Sequence, residues 1–315
     1  MSSGDMPGVE PVIGHPISGL TDGFTSLALH ALLVHQSLRD LIHYARLSTS
    51  ESRFWRDTAL ILGISRARTL EQEELEVLLK EELVPLAVRR ARLDIPREKQ
   101  HVLPRGHASV LTALSDVSKS IAAGQFQRAL IVGVDSLVSQ PLVEHFFQEG
   151  RLKTPEHPIG LMPGEAAAAL LVEEERAAQR RGARIEAFIG ALSLGTETVL
   201  ERGSACQGLQ LAATIERTLA QATHIGDIYG DLNGEERRAR EWGTFLARLP
   251  RESLLSHTAS HWPAVSFGDT GAASGAISIA AAARSFARNY ARSSESLVWS
   301  RAESGEVASG LVIRP

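Results

Sequence analysis

The chain has 315 residues, is 43% hydrophobic and 22% charged, and carries a formal net charge of -4. This is an ordinary globular composition, long enough for one large domain or two moderate ones around a well-buried core. It lacks the basic excess that marks nucleic-acid binding, and no apolar stretch reaches the roughly 18 residues of a membrane helix.

The opening "MSSGDMPGVEPVIGHP" has no basic segment followed by an apolar run, so it does not read as a signal peptide, and residues 1–8 read as a flexible tail. "PVIGHPIS" (Pro11–Ser18) reads as a short strand and Gly23–Leu47 as a helix. "DTALILGIS" (Asp57–Ser65) is a strand of the fully buried kind. Thr69 and Gln72 form a capping box for a helix through Glu81 and beyond. A basic stretch, Val88–Lys99, reads as solvated surface, with an acidic carrier protein as the functional alternative. Gln100–Gly106 is a short strand and turn, Val110–Ala123 a helix stopped by Gly124, and Arg128–Leu137 and Gly164–Glu174 are buried strands. The charged joint Glu173–Arg184 reads as a solvated link.

After the joint the pattern restarts. Arg184–Thr196 is a strand, Gly208–Ala222 a helix, His224–Leu232 a strand and Glu235–Leu249 a helix. Gly271–Asn289 is a helix of small residues, apolar nearly all round and therefore buried. Ser296–Pro315 is a hairpin turning at Ser304–Gly305. Two halves, 9–178 and 179–315, thus alternate strands and helices in matching order, which predicts an α/β protein with mixed, mostly parallel sheets covered by helices. The single cysteine, Cys206, allows no internal disulfide, suits a reducing cytoplasmic location and reads as a small buried hydrophobe.

Three motifs in order resemble a known family. "GQFQRALIVGVDSL" is similar to "SG..D.ALVGGVE", "GLMPGEAAAALLVEE" to "G...GEGAAALVLE", and "FGDTGAASGAISIAAA" to both "IGHTLGAAGA" and "YGNTSAASIP". These are motifs of the thiolase superfamily, and within it of the β-ketoacyl synthases. The resemblance implies a thiolase-like fold of two βαβαβ halves forming a five-layered α-β-α-β-α sandwich. It also implies a cysteine nucleophile at a helix N-terminus and a His/His or His/Asn pair that stabilises the enolate.

The chain departs from that pattern at each site. His107 stands at the cysteine position, Tyr229 at the first histidine and Asp269 at the second histidine or asparagine; Ala264 replaces the elongating synthases' lysine. The resemblance therefore implies a degenerate synthase without condensing chemistry. Such a protein is a scaffold or adaptor, as among genes for bacterial secretion effectors, or the non-catalytic partner of an active synthase.

The alternative is an acyltransferase or thioester hydrolase acting on acyl-CoA or acyl-carrier-protein thioesters through a converging His107, Tyr229 and Asp269, with Ser109, Asn233, Ser266 and Gly268 contacting substrate. Each residue also has a plain reading: His107 as packing, Tyr229 as core, Asp269 as an N-cap. Asp231, Asn233, Glu235 and Glu241 form either a polar site or an ordinary turn and helix start. No cofactor or metal is expected beyond a CoA or phosphopantetheine thioester as ligand; His257 and His261 have i,i+4 spacing without a supporting carboxylate motif. The resemblance also implies a homodimer, or a heterodimer with an active synthase, through Arg128–Leu137 as a bare edge strand.

Overall fold

The computed structural model describes residues 12–68, 70–198, 208–248 and 257–315. In chain order the elements are α1 (Ser26–Tyr44), α2 (Ser52–Arg56), β1 (Thr58–Ile64), α3 (Leu70–Leu78), α4 (Val84–Ala91), β2 (Gln100–Pro104), α5 (Ser109–Ala122), β3 (Arg128–Ser136), α6 (Gln140–Gln148), β4 (Glu165–Glu173) and α7 (Glu175–Arg180). They continue with β5 (Phe188–Thr196), α8 (Leu209–Leu219), β6 (Ile225–Tyr229), α9 (Glu236–Arg248), β7 (Ala259–His261), α10 (Ala264–Phe267), α11 (Ser274–Ala287), β8 (Glu295–Arg301) and β9 (Glu306–Ile313). The strands form a four-stranded sheet, β2-β1-β3-β4, and a five-stranded sheet, β5-β9-β8-β6-β7. β1 runs parallel to β2 and β3, and β6 parallel to β7 and β8, while β4, β5 and β9 make the antiparallel pairings.

Three apolar clusters define the layers. The first packs α1 and the α3–α4 helix onto the outer face of the first sheet. The second holds α5 and α11 between the two sheets. The third packs α8 and α9 onto the outer face of the second sheet. The order is therefore α-β-α-β-α. A helix trapped between two sheets must be apolar and slender on every side, which explains the Ala, Gly and Ser content of α11. A helix with one wet face needs only a stripe, as in α1, which buries Leu29, Leu33, Val34 and Leu38.

Several expectations are corrected. Pro11–Ser18 forms no strand: its described part makes one isolated bridge, His15 to Gly164, because Gly and Pro break the run. The joint after β4 keeps most of its charges exposed, Glu174, Glu175, Arg176, Arg180 and Arg184 among them, but is not an irregular link. It contains α7, buries Ala177 and Ala178, and holds Glu173 between Arg128 and Arg181. Gln72 accepts the Arg68 N–H (2.8 Å), one residue earlier than a capping box from Thr69 would place the bond; Thr69 itself lies outside the described residues, as do Cys206 and the 1–8 tail.

The expected edge strand, Arg128–Leu137, is internal: β3 is flanked by β1 and β4, and its apolar character is that of a strand buried on both faces. The first sheet instead ends in β2 and β4. Among the described residues no helix is long and apolar enough to cross a membrane.

The inner layer lies so close to the first sheet that a Cβ on Gly133 in β3 would collide with the Ala272 carbonyl oxygen and the Ala273 Cα. Gly133→Ala is therefore expected to lower stability by about 1–3 kcal/mol or more, as overpacking does. Gly243 sits on the exposed side of α9 with nothing near its Cβ position. Gly243→Ala is expected to raise stability by about 0.5–1 kcal/mol. Urea denaturation of the two variants measures both signs.

Candidate functional site

The two inner helices begin in the same way. A short 3-10 turn, Gly106–Ala108, leads into α5, and a second, Gly271–Ala273, leads into α11. Gly106 and Gly271 both have φ of 51°, a left-handed conformation that suits glycine. His107 lies on the first turn and Asp269 stands two residues before the second, and the fold brings them face to face. His107 Nε2 donates to Asp269 Oδ1 at 2.7 Å, and both side chains are almost wholly buried, 2% and 3% exposed. Asp269 Oδ1 also accepts the Gly271 N–H (2.9 Å), which makes it an N-terminal partner of the α11 turn as well.

A third group completes the site. Arg238, on α9, is 3% exposed. Its Nη2 is 3.3 Å from both His107 ring nitrogens. An atom equidistant from both nitrogens at that range lies over the ring face, since in the ring plane it would collide with Cε1. The guanidinium pairs with Asp231 (3.2 Å) and Glu235 (3.7 Å). Asn233 donates to Asp269 Oδ2 (2.6 Å) and to Glu235 (2.9 Å).

Burial alone would raise the Asp269 pKa, but His107, Arg238 and the Asn233 hydrogen bond outweigh it and hold the carboxyl well below its ordinary range. Burial likewise opposes the charge on Arg238, and Asp231, Asp269 and Glu235 overcome it and raise its pKa.

The network continues into the turn between β8 and β9, where Glu303 pairs with Arg68 (2.9 Å) and Arg151, and Arg151 in turn holds Glu235 (2.6 Å). Glu303 is likewise held far below the carboxylate range: burial opposes the charge, and Arg68 and Arg151 more than offset it. Arg301 pairs with Glu241 at 2.8 Å. What remains open beside His107 is a cavity of about 10 Å³, lined also by Gly230, Asp231, Asn233, Gly268 and Asp269. That is room for about one water.

The candidates therefore separate. His107, Asp269, Asn233 and Gly268 come together. Tyr229 does not join them: it is buried in the inner core, its ring stacks on His261 (4.7 Å between centroids), and burial pushes its phenol above the ordinary value despite a hydrogen bond with Ser285. The residue that the end of β6 sends toward His107 is Asp231, two positions later. Ser109 is fully committed, its hydroxyl near the Ile64 and Leu103 carbonyls (3.3 and 3.0 Å) and accepting the Arg105 N–H (3.1 Å). Ser266 is exposed on α10 and does not line the cavity.

His261 binds Asp227 (2.9 Å), and no group among the described residues could hold a metal ion. Arg238 was legible only as one of several arginines on an amphipathic helix; its buried position had no local signal.

These charges predict an acid response. The favourable contribution of Asp269 is fully present above the ordinary carboxylate range, about pH 4, and is lost as pH falls toward its lowered native value. Asp269→Asn should be less stable than wild type at neutral pH and lose less stability on acidification below about pH 4. Arg238→Ala, which leaves the buried Asp231 without its cationic partner, should cost about 3–5 kcal/mol. Urea melts across that pH range measure both.

No protein-family model matches the chain, and no curated protein matches it. Solved structures do. A type II polyketide ketosynthase, AntDE, in complex with its acyl-carrier protein AntF, superposes with a TM-score of 0.77 at 14% identity, covering 95% of this chain and 87% of that one. A β-ketoacyl synthase from Burkholderia phymatum gives 0.74 at 16% identity, with the same coverage of 95% and 87%. The oxazolomycin ketosynthase domain OzmH KS7 of Streptomyces albus gives 0.71 at 16% identity over 91% of this chain, which spans 59% of that one. The chain has the thiolase-like fold of the ketosynthases.

Proposed function

We propose that this chain is a ketosynthase-fold protein without condensing chemistry that works through its surfaces, as the non-catalytic partner of an active synthase or as an adaptor. One observation carries the reading. The turn that the motif resemblance equates with the nucleophile turn of the ketosynthases holds His107, tied to Asp269, covered by Arg238 and facing a cavity of about 10 Å³. A phosphopantetheine or CoA thioester does not fit that space, and the Nε2 of His107 is engaged by Asp269 rather than facing a substrate.

The competing reading, a thioester hydrolase, draws on the His107–Asp269 bond, which is the orientation a general base needs. It lacks a nucleophile, since Ser109 is committed and Ser266 is remote, and it lacks room for substrate. An acyl-carrier protein is a reasonable partner for this fold, given the complex formed by the AntDE ketosynthase. The exposed Arg89, Arg90 and Arg92 at the end of α4 offer such an acidic protein a basic surface. Homodimerisation, if it uses an edge of the first sheet, falls to β2 or β4, each paired on one side only. A secretion effector is the corresponding partner for an adaptor.

Incubated with acyl-CoA or acyl-carrier thioesters, the protein is expected to keep its unmodified intact mass and to hydrolyse thioester no faster than buffer. An adduct mapped to residue 107 with turnover overturns the proposal. So does hydrolysis that His107→Ala or Asp269→Asn reduces by about a hundredfold, the scale of acid–base catalysis. His107→Cys restores the sulfur without the space, and should remain unacylated.

A further inference from the structure

A second cavity, of about 570 Å³, lies on the other side of the first sheet's strand ends. That size is typical of small-molecule sites, about 300–1,000 Å³. It opens where β1 and β3 end, walled by the start of α1, by α3 and by the start of α6. The sheet order β2-β1-β3-β4 reverses direction between β1 and β3, and the crevice beyond such a reversal is where open α/β sheets bind ligands. Neither His107 nor Asp269 lines it, and the proposed function makes no use of it.

The polar floor of this cavity has spare acceptors. Glu165 Oε1 takes the Ile17 N–H (2.8 Å) and the Thr21 hydroxyl, but Oε2 takes only the Ser136 hydroxyl (2.9 Å). Asp135 Oδ2 takes the Ser65 hydroxyl and the Ala272 N–H (3.1 Å), but Oδ1 takes only the Ser136 N–H (3.1 Å). A carboxylate has about four acceptor positions, so each retains one. His30 is 6% exposed; its Nδ1 lies 2.8 Å from the Ser26 carbonyl and so carries the proton, which leaves Nε2 an acceptor that no described protein group fills.

Glu165 and Asp135 are 4% and 6% exposed, and neither forms an ion pair among the described residues. At the rim stand Asp22 and Glu76, the latter paired with Lys80; the one lining arginine, Arg66, is engaged by Glu306 (3.2 Å) and the Pro104 carbonyl (3.0 Å).

The lining thus offers spare acceptors, an excess of negative charge and an apolar wall. A primary ammonium has three donors, a positive charge and no acceptor. We propose that this cavity binds a small amphipathic primary amine, its ammonium group at Glu165, Asp135 and His30 and its apolar body against the flanking helices. The same charge pattern rejects carboxylates and phosphates, which separates this site from any thioester pocket.

Calorimetric titration with hexylamine, hexanol and hexanoate tests it. Hexylamine is expected to bind, hexanol at least about tenfold more weakly, since a charge-assisted hydrogen bond is lost, and hexanoate not at all. Ser139 is exposed on the rim and its side chain makes no cap bond, so Ser139→Trp can block the cavity without a structural loss, and should abolish hexylamine binding at an unchanged melting temperature. Asp22→Asn with Glu76→Gln should weaken hexylamine binding by about threefold for each charge. Hexanoate binding as well as hexylamine, full hexylamine binding by Ser139→Trp, or no heat from hexylamine at millimolar concentration each overturns the proposal.

Discussion

The buried guanidinium of Arg238 holds the centre of this molecule together. It lies between Asp231 and Glu235 and over the ring that Asp269 grips from the edge. Taking such charges out of water costs several kcal/mol for each ion, and only mutual pairing offsets it. The arrangement therefore depends on Arg238. With every member present, the carboxylates stay ionised and the loops after β6 and before α11 are tied to the turn before α5. With Arg238 absent, Asp231 is a buried charge without a cationic partner, while Asp269 and Glu235 keep His107 and Arg151.

That network sits where the two inner helices begin, and the backbone around it is that of the thiolase-like fold. The paired turns at Gly106–Ala108 and Gly271–Ala273 still deliver two helix N-termini to one point. Close approach makes this possible. Gly63 lies against Ser109, Gly133 against Ala272 and Gly275 against Val110, positions where an added Cβ would have to displace its neighbour. Backbone geometry of this kind depends on small residues spread through the core, whereas catalysis depends on a few side chains at the turns. The first can persist while the second changes, which is why fold likeness alone does not assign an activity.

Asp135 joins the two cavities physically. Its carboxylate reaches the Ala272 N–H on the turn that follows Asp269, and it also forms part of the floor of the larger cavity at the ends of β1 and β3. The small cavity is walled by charges that satisfy one another. The floor of the larger one is made by carboxylates, Glu165 and Asp135, that accept only from neutral donors. The same residue types thus make a sealed site in one place and a receptive one in the other, according to whether cations are built in.

By itself the sequence determined the elements and their layering. Continuous apolar runs such as Thr58–Ile64 announce buried strands, and the small-residue run at Ser274–Ala287 announces a helix with no wet face, because burial acts residue by residue along the chain. It also placed His107 and Asp269 on turns before helices. Where the two halves meet was not legible, because contacts between residues more than a hundred positions apart leave no local pattern.

Tertiary structure alone decided that Tyr229 turns into the core while Asp231 turns toward His107, that Arg238 is buried among carboxylates, and that β3 is an interior strand. Each outcome follows from which face of an element the packing covers. An apolar strand reads the same whether its neighbour is another strand of the same sheet or a second copy of the chain, and only the assembled sheet tells them apart.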